Sequence, residues 1–445
     1  MKRIVGKELE RILKERADLA AFFGLKEQIE PARQDNILVV DTNLAIDHAL
    51  SAARNKNKPV YYYIPWQTAF PVVSDYISGD GFNELIKVMD IAEALDKVDT
   101  VIFVDVGFAA LIEQLREHKF NVWGAPPAVE RLETDRVYMR KVYKELGIKT
   151  TEAEIVKGVN GVLDYLEKHQ GEVFFIKVNL FRGNVESFRT DSVESARTLL
   201  ESGNFGPYAD KIDFVIEKAV EEEAVEIGVD AWFNGEKFLK KHFFTMEDKG
   251  SGNIGKFVEE SIFTEHWLKP LEKWLKEQGF KGSICIEGFW TGKEFLAIDT
   301  TSRISFPCSA SWAFGIKDYW DFLKGVASGS IDDFEYFYPY QVEIGVYTDE
   351  VDRWRKLSIE EGKLRERELG LGFRRVVKTE DGLYYVPGDF LVATGLGAGS
   401  SIKEALERAA EAANSVSSYN IQPATGVIDN FLKKIEQLKK LGVEL

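Results

Sequence analysis

The chain has 445 residues, 45% hydrophobic and 29% charged, with a mean hydropathy of -0.20 and a formal charge of -16. Such a length outgrows one core and gives two or three domains, and the apolar content excludes a disordered chain. The acidic balance argues against sequence-independent binding of nucleic acid, which needs a basic face, and leaves small-molecule chemistry as the expected role.

Cys285 and Cys308 have neither metal-ligand spacing nor the look of a disulfide framework, which suits a reducing cytoplasm. His48, His118, His169, His242 and His266 are scattered and form no zinc pattern. No apolar run approaches the ~18 residues of a membrane span.

In chain order, "MKRIVGKELERILKERADLAAFF" reads as an amphipathic leading helix. "NILVVD" (36–41), "VYYYI" (60–64) and "TVIFVD" (100–105) read as strands separated by helical segments such as "FNELIKVMDIAEALDKV" and "FAALIEQLREH". That alternation predicts a parallel sheet and a first domain over 1–130. A long helix, "RLETDRVYMRKVYKELGI", leads into a smaller α/β unit with strands "EAEIV", "VFFIKV" and "DFVIEKAV", giving a second segment over 131–220. Antiparallel signals then follow over 221–330, where "AVEIGVDAWFNGEKFLKKHFF" carries Asn234-Gly235 as a hairpin signal. A last α+β unit over 335–445 has strands "VEIGVYT", "FRRVVKT", "LYYVP" and "FLVATGL" and the helix "IKEALERAAEAANSV".

The stretch "CIEGFWTGKEFLAIDTTSR" (285–303) reads as a hairpin with two acids, Glu287 and Asp299, where strands bury Val or Ile. A three-residue loop, Thr291-Gly292-Lys293, pairs Glu287 with Ala297 and leaves Asp299 diagonal to Glu287, at roughly 7 to 8 Å between backbones, with Thr301 further along the same face. Two half-buried carboxylates repel unless a cation or proton lies between them, and oxygen-only ligation suits Mg²⁺ with substrate phosphates. The alternative is that one acid pairs with a core arginine, for which Arg303 is the obvious candidate. Lys177, in mid-strand in "FFIKVNLF", and the acid-rich "FVIEKAVEEEAVEI" occur in one order with this hairpin.

That order resembles the ATP-grasp superfamily, and residues 36 to 415 resemble its phosphoribosylamine:glycine ligase branch. "LETDRVYMRKVYKELGIKT" is similar to the family's "LEgSKafaKefmkryGIpT", "FIKVNLFRGNV" to "vvKadGLaaGKGV", and "FVIEKAV" to the "viEefl" linker. The resemblance implies an ATP-grasp α/β fold: a pre-ATP-grasp parallel-sheet domain, two ATP-grasp lobes and a C-terminal α+β domain. It implies ATP with Mg²⁺ or Mn²⁺ as cofactors and small-molecule carboxylate and amine substrates, with no nucleic acid or membrane partner.

By the same resemblance, Arg136, Lys177 and Gly183 contact the nucleotide and Glu217, Lys218, Ala219 and Val220 face adenine. One acid of 221–226, Glu223 and Glu226 among them, takes the ribose. Glu287, Asp299 and Thr301 hold metal, and Lys177 and Arg303 supply catalytic positive charge. The family's phosphate-cradling "GsGGREHAL" reads "DTNLAIDHAL" here (41–50): its glycines are gone and Asp41 is added. The expected activity is therefore an ATP-dependent carboxylate-amine ligase that works through an acyl phosphate on a different acceptor. A nucleotide-binding module without catalysis and an ATP-grasp kinase are the alternatives.

Overall fold

The computed structural model describes residues 35–65, 77–179, 187–203, 205–220, 223–306 and 309–445. The expected leading helix and the loop with Gly183 lie outside them. Two compact units emerge: residues up to Gly124 with Ser309–Thr425, and Ala125–Cys308 with Gly426–Leu445. Each unit is built from two separate stretches of chain, where the sequence reading gives four consecutive segments.

In the first unit, β1 (Ile37–Val40), β2 (Val60–Tyr63), β3 (Leu85–Lys87), β4 (Thr100–Phe103) and β5 (Asn121–Trp123) form a parallel sheet in the order β3-β2-β1-β4-β5. Every residue of β1 and β4 is buried, as unbroken β-branched runs predict for strands covered on both faces. Helices α1 (Ile46–Lys56) and α2 (Ala109–Glu117) connect the strands. The stretch 82–98, expected to be helical, is instead β3 followed by one helical turn, Ala92–Leu95. Leu85 to Lys87 extend the sheet beside β2, and the Asp90 carboxylate accepts the Ala92 N–H at 2.9 Å, starting the turn there.

The second unit begins with α3 (Pro127–Thr134) and α4 (Arg136–Leu146). The sequence predicts one helix here, but Asp135 is extended (φ -138°, ψ 90°) and its carboxylate caps the Tyr138 N–H at 3.0 Å. The break makes Arg136 the first residue of a new helix.

Next come β6 (Ala153–Lys157), α5 (Gly158–Lys168), β7 (Phe174–Val178), β8 (Ser187–Thr190), α6 (Val193–Ser202) and β9 (Asp213–Lys218). Their strands form an antiparallel sheet in the order β6-β9-β7-β8. Val162, Leu166 and Leu200 of its helices share a core with Phe174, Ile176 and Phe214.

A larger antiparallel array follows: β10 (Val225–Phe233), β11 (His242–Asp248), β12 (Gly252–Val258), helix α7 (Lys269–Glu277), β13 (Gly282–Trp290) and β14 (Phe295–Thr301), with strands in the order β14-β13-β10-β11-β12. The first hairpin turns around Gly235 and Glu236 rather than Asn234 and Gly235. Asn234 N–H bonds Lys237 O at 3.1 Å, its side-chain oxygen takes the Glu236 and Lys237 amides, and Gly235 adopts φ +99°.

The chain then returns to the first unit as α8 (Ser309–Gly315), α9 (Tyr319–Ser328), β15 (Tyr340–Tyr347), β16 (Arg355–Ile359), β17 (Leu369–Gly372), β18 (Val376–Thr379), β19 (Gly382–Tyr385), β20 (Leu391–Gly399) and α10 (Ile402–Ala413). The last helix, α11 (Val427–Lys440), belongs to the second unit, where Lys434 bonds the Glu247 carbonyl at 2.6 Å.

Candidate functional site

The hairpin β13-β14 differs from expectation in one residue of register. Trp290 pairs with Phe295, so the loop has four residues, and Thr291 N–H closes it on Glu294 O at 3.1 Å. Gly288 pairs with Ala297, yet Glu287 pairs with Asp299, because a bulge leaves Ile298 extra. The two acids are therefore direct cross-strand partners, not diagonal ones, and Ala297 lies on the opposite, core-side face. Gly288 permits this: a Cβ there would stand 2.4 Å from Leu296 O and 2.6 Å from the Phe295 ring.

The bulge has a second effect. The Ile298 carbonyl accepts the Lys177 ammonium at 2.8 Å. Lys177, buried in mid-strand β7, also lies 3.2 Å from Glu217, whose same oxygen accepts Arg140 at 2.6 Å. Arg136, buried at the start of α4, donates to Val178 O at 3.0 Å and reaches Asp299 at 3.6 Å. Burial opposes ionisation of Asp299, but the Arg136 and Lys177 cations hold its carboxyl below the usual carboxylate range. The arginine beside the hairpin acids is thus Arg136. Arg303 instead donates to Glu133 of α3 at 3.0 Å, and Glu133 also takes the Ser302 N–H at 2.9 Å.

Glu287 has the opposite surroundings. Glu226 and Glu247 share its face, because Gly228 pairs with both Glu287 and Thr245 and strand residues two apart point the same way. Lys249, in the turn between β11 and β12, lies 3.0 Å from Glu226 and 4.0 Å from Glu287. Burial pushes Glu287 up, Lys249 works against the rise, and the charges of Glu226 and Asp299 add to it. Burial and the Glu287 charge push Glu247 well above the ordinary range. Further along the same face, burial pushes Asp230 up to about 7, with Ser305 and Cys285 as its polar neighbours. Among the described residues, no three His, Cys, Asp or Glu assemble into a ready-made metal centre.

Of these residues, Lys177, Glu217, Glu226, Lys249 and Ile298 border a cavity of about 310 Å³ whose lining also includes Thr151, Phe175, Phe188, Val220 and Phe289. Lys177, Arg189, Glu217, Lys218, Glu226 and Lys249 give it polar walls. Adjacent strand residues point to opposite faces, so the Glu217 carboxylate meets Lys177 and Arg140 while the Lys218 ammonium meets the half-buried Glu172 at 2.6 Å. The Ala219 N–H is bonded to Val173 O at 3.0 Å. Glu223 is exposed, and its carbonyl accepts Gln437 at 2.9 Å. Thr301 pairs with Cys285 at the end of β14.

The structure thus gathers Arg136, Lys177, Glu217, Val220, Glu226, Glu287 and Asp299, and leaves Glu223 apart. Sequence reasoning missed Lys249, Glu247, Arg140 and Glu133. Parity along "FTMED" places Glu247 on an acid-bearing face, but a turn lysine such as Lys249 carries no pattern.

No protein-family model and no curated protein matches the chain. Solved structures do. The phosphoribosylamine–glycine ligase of Thermotoga maritima superposes with a TM-score of 0.64 at 17% identity, covering 87% of this chain and 98% of that one. N5-carboxyaminoimidazole ribonucleotide synthetase of the same organism gives 0.58 at 15% identity, over 87% and 100% of the two chains. The biotin carboxylase domain of Hydrogenobacter thermophilus 2-oxoglutarate carboxylase, in complex with MgADP, ADP and bicarbonate, gives 0.62 at 12%, over 92% and 99%. The fold is the ATP-grasp fold. Among these structures, the phosphoribosylamine–glycine ligase is the one whose branch the sequence motifs resemble.

Proposed function

We propose that this protein is an ATP-dependent carboxylate-amine ligase, with nucleotide in the 310 Å³ cavity and an acyl phosphate as the reacting species. One observation carries the reading. A buried lysine, Lys177, lines the cavity and bonds the carbonyl of Ile298, the residue before Asp299, which is the cross-strand partner of Glu287.

The residues fit Mg²⁺: Glu287, Glu226 and Glu247 crowd one face, and a divalent ion that takes one or two carboxylates plus phosphate oxygens relieves their repulsion. Glu287 and Asp299 would hold it, with Thr301 next along the strand. The bound metal and ATP supply charge neutralisation and the transferable phosphoryl group. Lys177 and Arg136 place fixed positive charge where phosphate charge develops, and Glu217 orients Lys177 through a contact of 3.2 Å. Arg303 adds to that field from its anchor on Glu133. Apolar lining from Phe175, Phe188, Val220 and Phe289 suits an adenine ring, and Glu226 takes the ribose role in preference to the outlying Glu223. No side-chain nucleophile is required.

The acceptor differs from phosphoribosylamine, since Asp41 stands where a phosphate would need a glycine turn. ADP release screened across amino acids and amines tests the reading: release that needs both a carboxylate and an amine is expected. Nucleotide binding with no turnover on any pair, or a stable phosphorylated product without amine, would overturn it.

A further inference from the structure

The last stretch of the second unit, Gly426–Leu445, carries α11, and among the described residues none of this stretch lines the nucleotide cavity. Val427, Phe431 and Leu438, spaced by four and seven residues, form the buried stripe of the helix. That stripe accounts for α11 being held on the unit. It does not account for where the polar groups beside it go.

Lys434, on the same stripe, donates to the Glu247 carbonyl at 2.6 Å and lies 3.7 Å from the Asp248 carboxylate. Gln437, one turn further on, donates to the Glu223 carbonyl at 2.9 Å. Just past the helix, the Leu441 carbonyl accepts the Trp290 indole N–H at 3.1 Å, and a Cβ on Gly292 would stand 3.2 Å from the Leu441 side chain. One helix therefore fastens three segments that are far apart in sequence.

Each of those segments carries a wall of the cavity. Glu223 lies in the linker between β9 and β10, midway between Val220 and Glu226, and both of these line the cavity. Asp248 precedes the lining residue Lys249, in a turn that the Ser251 N–H closes on Asp248 O at 2.9 Å. Trp290 directly follows the lining residue Phe289. Lys249 is also the cation that meets Glu226 at 3.0 Å and Glu287 at 4.0 Å. Linkers and turns open at lower free energy than the strands that flank them. A ligand that must order them on binding loses affinity to that ordering, and ties already made in the free chain remove the loss.

We propose that α11 is a positioning clasp for the cavity walls. Gln437 fixes the linker that carries Val220 and Glu226, and Lys434 fixes the turn that carries Lys249, before any ligand arrives. Naming that ligand as a nucleotide rests on the ligase reading; the clasp itself does not.

Hydrogen exchange of the full chain without nucleotide reads the clasp directly. Gln437→Met keeps the length of the side chain and loses the donor, so the amides of 223–226 exchange faster; Lys434→Met does the same for 248–251. Both positions are half-buried, and the buried stripe is intact in each variant, so the melting temperature moves little. Gln437→Lys and Lys434→Arg, which restore a donor, restore slow exchange. Calorimetric titration reads the consequence: each methionine variant weakens Mg·ADP by about three- to tenfold, the net worth of one hydrogen bond. Gln437→Met leaves Mg·pyrophosphate, which has no nucleoside, unchanged. Unaltered exchange at both segments, wild-type Mg·ADP affinity in both methionine variants, donor-restoring variants as weak as the methionine ones, or equal loss of Mg·pyrophosphate and Mg·ADP in Gln437→Met would each overturn the proposal. A wild-type chain that binds no Mg·ADP while exchange responds as expected would instead sink the ligase reading and leave the clasp standing.

Discussion

Neutralising Glu287 and neutralising Asp299 should have opposite effects on stability and the same effect on metal-dependent function. From two facing carboxylates alone, Asp299→Asn should hold or raise the melting temperature, because it removes repulsion. The structure reverses that expectation. Asp299 sits 3.6 Å from the buried Arg136, a separation at which two unit charges attract by roughly 1 kcal/mol in water and ~4.6 kcal/mol at an effective permittivity of ~20. Because Asp299 is 36% exposed, solvent screening reduces the net loss on substitution to about 1 to 2 kcal/mol. At about 2 to 4 °C per kcal/mol for a unit of this size, Asp299→Asn lowers the melting temperature by roughly 2 to 8 °C. Glu287→Gln instead relieves crowding by Glu226, Glu247 and Asp299, so its melting temperature holds or rises. Both variants lose most of the stabilisation that saturating Mg·ADP gives, about 2.7 kcal/mol at a hundred times Kd. Scanning calorimetry with and without Mg·ADP measures all four quantities. Equal destabilisation by the two substitutions would refute the pairing of Asp299 with the cations, and full Mg·ADP stabilisation in either variant would refute that acid's hold on the metal.

Three further outcomes are expected. Lys177→Met removes the ammonium that bridges Ile298 O and Glu217, and should weaken ATP at least tenfold in equilibrium binding; unchanged affinity removes Lys177 from the site. Lys249→Met deletes the internal counter-ion of Glu226 and Glu287, so the nucleotide-free protein should melt lower while its gain in melting temperature on adding Mg²⁺ becomes larger; a smaller gain would show that the lysine assists the metal rather than standing in for it. Asp230, raised from about 3.8 to about 7 by burial, favours folding when protonated, so its contribution is complete below pH 4 and lost as pH rises to 7. Asp230→Asn should therefore flatten the fall in stability over that window in urea titrations, and an unchanged pH profile would assign the fall to other groups.

What was legible followed from local pattern. A lysine inside "FFIKV" and acids inside "CIEGF" and "LAIDT" break apolar runs at positions where only function or pairing justifies a charge, and the structure pairs the two acids across strands and ties the lysine to the carbonyl next to one of them. The parallel sheet was legible because β1 and β4 are buried on both faces and read as unbroken apolar runs. Register was not: the extra Ile298 shifts every later residue of β14, and Gly288 was the one local sign of it. The break at Asp135 carried a capping signal in "ETDRVY" that the helical periodicity on either side masked. Glu133 meets Arg303 across 170 residues of sequence, and no local pattern encodes a pairing at that distance.

The bulge in β14 also separates two properties usually altered together. Removing Ile298 would let the strand pair without interruption and still set an aspartate opposite Glu287, but it would withdraw the one carbonyl outside the ladder to which Lys177 is tied. Regularity of the sheet and order at the site therefore pull against each other at a single residue. Engineering for robustness would be drawn to smooth this defect, and the resulting protein would fold with a more regular hairpin while its lysine lost its bearing.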